Sequence, residues 1–241
     1  MKVVITQPMF FPWAGLLEQL RMADIIVYYD DVQFSKGSFT NRVQIKTPFG
    51  KKWLTVPLKN FSFGQLINEA QVQSIDNWSH HHFSLIKQSF SDANFSKDAQ
   101  KIVDQIYSRE YTSIAELSKA SMRGICDYYN VLDGKDVYDA SDLNISGHSS
   151  ERVLNIVKKL NGTSYITGHG ARNYLDHENF EKHGISVVYM DYKINAYRQG
   201  WGEFTPHVTA LDLIANCGLN GLNYCKSNTV HWKNFPKIKS L

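Results

Sequence analysis

The stretch DDVQFSKGSFTNR, Asp30 to Arg42, places two adjacent carboxylates, a lysine, an asparagine and an arginine within thirteen residues. A carboxylate near an amine can act as a general base or hold an ammonium group. Arg42 suits two-pronged binding of phosphate or carboxylate, and Lys46 suits a point contact. In an alternating segment those two cations share one strand face. Asp30 and Asp31, at a strand end, point to opposite faces, so only one of them meets a given pocket. The other caps a turn or pairs with Lys36 or Arg42.

Three further segments carry similar chemistry. In QPMFFPWAG (7–15) two prolines limit the backbone, and Gly15 permits a close approach where a helix begins. Backbone N–H groups at that helix start favour an anion. Gln7 follows an apolar run directly, which suits a site; the bland alternative is a rigid core loop around Trp13. In TGHGARNYLD (167–176) His169 stands between glycines as a candidate proton carrier near neutral pH, with Arg172 and Asn173 completing an anion loop. The spacing is not that of a P-loop. YRQGWGEFTPHVTALDL (197–213) mixes Tyr197, Gln199, Trp201 and His207, with Asp212 one turn inside a helix.

Other schemes find less support. Consecutive helix residues point about 100° apart, so His80, His81 and His82 cannot chelate one ion together. A helix start with one inward histidine explains them better. There is no GxSxG elbow, and Cys126, Cys217 and Cys225 form no CxxC. Three widely spaced cysteines point to reduced thiols.

These residues need a scaffold. VVIT (3–6), a helix over 16–23 and the apolar run 24–34 outline a βαβ unit. Ligands of such units sit beyond the carboxyl ends of the strands, where Gln7, Asp30 and Asp31 fall. The alternation over 42–59, with TPFGKK as its turn, predicts a β-hairpin that could also supply an oligomer interface. Residues 64–73 read as loop and strand, and 76–130 as three helices, with Asp76 or Ser79 capping the first. A strand at VYDASDL, a helix over 149–162, a strand at SYIT, a helix at NFEKHG, a strand over 185–193 and a helix over 209–218 follow. The result is α/β, a mostly parallel sheet with a helical insertion near 76–130.

Composition limits the rest. The chain has 241 residues, 43% of them hydrophobic, enough for one large α/β domain or two modest ones. Mean hydropathy is −0.34, and no apolar run nears the roughly 18–20 residues of a membrane span. The first residues, cut by Gln7 and Pro8, read as a buried strand rather than a signal peptide, so a cytoplasmic protein is expected. A formal charge of +3, spread along the chain, suits an anionic small substrate and gives no reason to expect DNA or RNA.

The motifs together resemble the WbqC-like protein family over nearly the whole chain. That family opens on H/QPxYxPWxGY, matched by Gln7, Pro8, Pro12, Trp13 and Gly15. Its DDVQFxKxxFxNRNxIK block is matched by Asp30, Asp31, Gln33, Phe34, Lys36, Phe39, Asn41, Arg42, Ile45 and Lys46. Trp78 and His82 match a tryptophan–histidine pair, which selects His82 from its triplet. Gly168, Gly170, Ala171, Tyr174 and Leu175 match SGxGAxxYL; Tyr197, Gln199, Pro206, His207, Leu211 and Asp212 match the remainder. Phe11, Leu17 and Val43–Gln44 depart from the pattern.

The resemblance implies a single domain over 1–241, with a basic tail from about 232, and a role in bacterial surface-polysaccharide (O-antigen) synthesis. The reaction it suggests is N-acyl or aminoacyl transfer to a nucleotide-linked amino sugar, from an activated donor, with no metal expected and no membrane insertion. Asp30, Asp31, His82, His169 and His207 are then the catalytic candidates. Gln7, Trp13, Gln33, Lys36, Asn41, Arg42, Lys46, Arg172, Tyr174, Tyr197 and Gln199 are the binding candidates. Nucleotidyl transfer is the alternative enzyme. In HIGH-superfamily nucleotidylyltransferases the loop between the first strand and the first helix carries two histidines, however, and PWAGLL has none. A non-catalytic accessory protein that binds a sugar nucleotide is the remaining alternative.

Overall fold

A computed structural model of the chain describes residues 1–236. In chain order the elements are β1 (Lys2–Thr6), α1 (Ala14–Arg21), β2 (Ile25–Tyr28), β3 (Arg42–Thr47) and β4 (Gly50–Thr55). Then come α2 (Ser79–Ser89), α3 (Ser96–Tyr107), α4 (Ile114–Tyr128) and β5 (Asp136–Asp139). α5 (Ser149–Lys159), β6 (Ser164–Thr167), α6 (His177–Lys182) and β7 (Ser186–Asp191) follow, and α7 (Ala210–Cys217), α8 (Leu222–Cys225) and β8 (Asn228–His231) close the chain.

Six strands form one sheet in the order β5-β2-β1-β6-β7-β8; all neighbours are parallel except β7 and β8. The central strands are short and β-branched, as strands covered on both faces should be. Alternate side chains go to opposite layers. Val4, Ile26, Tyr28, Ile166 and Met190 pack with α1, the three helices of 79–128 and α7. Val3, Ile5, Ile25, Val27, Tyr165, Val187 and Tyr189 pack with α5 and α6. The mostly parallel α/β sheet expected from the sequence is therefore present. The helices after β4 are one of its two covering layers as much as an insertion.

From β1 the chain winds outward through β2 to β5, then crosses back to lay β6 on β1's other side. Helix α1, after β1, lies on one face and α6, after β6, on the other. β1 and β6 therefore flank the topological switch point, where doubly wound sheets open a crevice beyond their strand ends.

Several local expectations change. β2 ends at Tyr28 rather than running to residue 34, because the chain turns there: after a last rung from Tyr29 N–H to Thr6 O (2.8 Å), Asp30 N–H donates back to Tyr28 O (3.0 Å). Residues 64–73 form no strand, only single bridges such as Leu58–Val72 and Gln33–Leu66. α2 starts without a side-chain cap, so neither Asp76 nor Ser79 has that role. β8 was not legible, since NTVH is short and pairs only at the sheet edge. The basic tail is packed as far as residue 236: the Trp232 indole donates to Glu181 (2.9 Å), and Phe235 stacks on Tyr189 at 4.7 Å. Residues 237–241 lie outside the described residues.

Candidate functional site

The strand ends at the switch point enclose two adjoining hollows. The first, about 580 Å³, is walled by Thr6 at the end of β1 and Gln7 beyond it, Tyr29 after β2, Thr167 and Gly168 at β6, and the N-terminal halves of α1 and α5. No charged side chain of the described residues lines it. The second, about 1030 Å³, is mainly apolar and is bordered by Phe39, Val43, His169, Ile194, Pro206 and His207. Met9, Trp13, Gly170 and Tyr192 belong to both.

Local structure explains why Trp13 stands there. Its ring lies over Gly15, where any Cβ would sit 2.2 Å from the indole, so only glycine fits. The loop before α1 is pinned on both sides: Phe11 N–H donates to Ser121 Oγ (2.9 Å), and Ala210 N–H to Pro12 O (2.7 Å). Phe11 itself is held at a φ of 40°, in the left-handed region that a bulky side chain seldom adopts. A rigid loop therefore presents the indole to the cleft, in contact with Tyr192 at 4.9 Å between ring centres.

Tyr192 is held in turn. Its hydroxyl donates to Gln19 Oε1 (3.0 Å), and Gln19 Nε2 donates to Ile166 O (3.2 Å) on β6. Burial keeps that phenol well above its ordinary pKa, so it stays protonated and donating. Gly168 clears space for it, since a Cβ would come within 3.1 Å of Tyr192 Oη. Neither Gln19 nor Tyr192 stood out in the sequence. Gln19, a polar residue on the buried face of an apolar helix, was the available signal.

The candidate residues divide into those at the cleft and those elsewhere. Gln7, Trp13 and Tyr174 line the first hollow, and Trp13, His169 and His207 the second. The His169 Nε2 lies 2.8 Å from Met190 O. A carbonyl only accepts, so Nε2 carries a hydrogen, and the lone pair of the neutral ring is on Nδ1. The ring is steadied by Tyr192 and Phe235. His207 is exposed and sits 5.9 Å from the Trp13 ring.

Both aspartates lie off the end of β2, and neither lines the cleft. Asp30 is buried, accepting from Lys119 Nζ (3.2 Å), Ser141 N–H (3.1 Å) and Ser141 Oγ (3.1 Å). Asp31 pairs with Arg152 at 2.5 Å, not with Lys36 or Arg42. That hydrogen bond raises the guanidinium pKa further, and the guanidinium also lies 5.1 Å from the Tyr29 ring at the first hollow.

His82 is placed in the core. Its Nε2 donates to Thr55 O (3.2 Å), and its Nδ1 accepts from the Tyr107 hydroxyl (2.8 Å). Burial lowers its pKa to about 4, which leaves a neutral ring with both nitrogens occupied. Lys46 is also buried, and it donates to Gln199 Oε1 (3.0 Å), Gly202 O (3.2 Å) and Glu203 O (2.5 Å). Tyr197 and Gln199 both donate to Asp212 Oδ1, at 2.7 and 2.8 Å. This closed network ties β3 to the loop before α7.

Arg42 lies over the Trp53 ring at 4.3 Å, and Asn41 donates to Val56 O (3.0 Å). Gln33 and Lys36 are exposed outside both hollows. Arg172 donates to Pro236 O and lies 5.6 Å from the Phe235 ring. Among the described residues no group of three or more His, Cys, Asp or Glu gathers as a metal site, and the three cysteines are unpaired.

Fold and cleft together define a doubly wound α/β protein with a two-chambered crevice at its switch point. The chain belongs to the WbqC-like protein family, whose sequence model matches residues 7–224. It is similar to a Mycobacterium tuberculosis (strain ATCC 25618 / H37Rv) protein named "Uncharacterized protein Rv1507c", with 30% identity over 231 residues, covering 93% of this chain and 99% of that one. No solved structure matches the chain.

Proposed function

We propose that the protein is an enzyme of bacterial surface-polysaccharide assembly that transfers an acyl or aminoacyl group to the amine of a nucleotide-linked amino sugar. One observation carries the reading: two hollows meet at the switch point across the Trp13–Tyr192 pair, with an oriented imidazole on the larger. The nucleotide-linked part occupies the first hollow. Hydroxyls and the Gln7 amide receive it there. The sugar amine and the activated donor meet in the second hollow.

The amine nitrogen attacks the donor's carbonyl carbon, so a C–N bond forms as the bond to the donor's leaving group breaks. His169 Nδ1, the ring nitrogen left with a lone pair, takes the amine proton and passes it to the leaving group. Holding Nε2 on a backbone carbonyl orients the ring for that exchange. His207, on the same hollow, is the alternative proton carrier. The Asp30 and Asp31 carboxylates act through the scaffold in this scheme.

The test is incubation of purified protein with a panel of nucleotide-linked amino sugars and activated acyl donors, followed by mass spectrometry. An acyl mass gain lost in His169→Asn is expected. No gain across the panel counts against the reading. ATP-dependent pyrophosphate release would favour nucleotidyl transfer, and a thermal shift without turnover would favour a binding protein.

A further inference from the structure

The modest overall charge conceals an uneven distribution. Residues 32–68 hold six of the 26 Lys and Arg and none of the 23 Asp and Glu, so this segment carries +6 and the rest of the chain −3. Charge is therefore not spread along the chain. The same segment holds Phe39, Phe49, Trp53 and Phe63, four of the five Phe and Trp side chains that stand exposed.

Much of this is one surface. In the β3–β4 register Gln44 faces Trp53 and Lys46 faces Lys51, so Trp53 and Lys51 share a face of the hairpin. Phe39 lies 6.1 Å from Trp53, and Arg42 covers the Trp53 ring. Phe49, at the hairpin tip, is 74% exposed, and past Gly50 come exposed Lys51 and Lys52. Among the described residues no carboxylate pairs with Lys36, Arg42, Lys51 or Lys52. Phe39 also borders the larger, mainly apolar hollow.

We infer that this hairpin face docks the protein on an anionic lipid surface, bringing the mouth of the larger hollow to the headgroup layer. Lysines beside the lipid phosphates supply attraction, and a projecting aromatic settles shallowly among the acyl chains. No helix of the described residues is long and apolar enough to cross a membrane, so the contact is peripheral. Two other partners fit less well. Protein interfaces are depleted in lysine, which makes up five of the six cations here. Single-stranded nucleic acid is usually held in a basic groove, and this aromatic stands on a protruding turn. The inference does not depend on the acyl-transfer reading.

The experiment is co-sedimentation of the full chain, in low salt, with phosphatidylcholine vesicles with and without phosphatidylglycerol. Retention only by the anionic vesicles, lost in high salt, is expected. Lys51→Ser should weaken it about fivefold. Phe49→Ser should weaken it severalfold, and its exposed position leaves the fold intact by circular dichroism. Absence of retention, or retention unchanged in both variants, overturns the inference. So does tight binding of polyglutamate or an oligonucleotide without vesicle binding, which would assign the face to an acidic protein or a nucleic acid.

Discussion

The switch-point cleft and the charged block at the end of β2 make opposite use of similar motif residues. Around the cleft, aromatic rings, hydroxyls and amides remain accessible, and the first hollow has no charged wall among the described residues. Around Asp30, Asp31, Lys46 and Asp212, charged groups are taken up by the protein itself: Asp30 pairs with Lys119 and Asp31 with Arg152, Lys46 donates to Gln199 and loop carbonyls, and Asp212 accepts from Tyr197 and Gln199. Buried charge needs partners, and a side chain with all its partners has little left to offer a ligand. Charge density in a sequence therefore locates scaffold as readily as chemistry.

That contrast breaks first at Asp30. Its replacement by Ala leaves Lys119 with Asp139 alone and removes an acceptor from Ser141. A loss of about 2–3 kcal/mol in denaturant unfolding is expected, since the Ser141 donors lose their acceptor while Lys119 keeps one carboxylate. At the cleft the opposite pattern should hold. His169→Asn should cut turnover on the proposed substrates by about 10²–10⁴-fold, with stability changed by no more than about 0.5 kcal/mol.

His82 sharpens the comparison through pH. Its folded pKa of about 4 lies below the ordinary 6.5, so the unfolded chain binds the extra proton between those values. Its contribution is fully present above pH 6.5 and is lost as pH falls toward 4, by up to about 3 kcal/mol, then changes no further. Unfolding measured at steps across that window should show the slope, and His82→Leu should remove it. Lys46→Met should cost about 2 kcal/mol by leaving loop carbonyls and Gln199 without their donor. The smallest effect belongs to Trp13→Phe, which should raise the Kd for a nucleotide-linked sugar about tenfold, with little change in thermal stability.

Much of this division was legible in the sequence, though not the part that assigns roles. The β-branched runs and helical spacings yielded the α/β order, and the loop 7–15 was placed correctly beyond β1. The adjacency of Asp30 and Asp31 read as convergence on a pocket. It is convergence on Lys119 and Arg152, two helical residues that lie far along the chain and outside the motifs. His82 could not be told from a site histidine, because its partners Thr55 and Tyr107 come from a strand and another helix. The Gln19–Tyr192 pair was missed for the same reason: it joins residues from α1 and the loop after β7, and local pattern offers Gln19 on a buried helix face without its partner.

A crystal soaked with a nucleotide-linked amino sugar tests the division between cleft and scaffold most directly. The account predicts the ligand in the switch-point crevice, against Trp13 and Tyr192, with Asp30 and Asp31 still holding Lys119 and Arg152. A ligand bound instead in the hollow of about 610 Å³ beside Lys119 and Asp139, drawing Asp30 out of its pair, would contradict it.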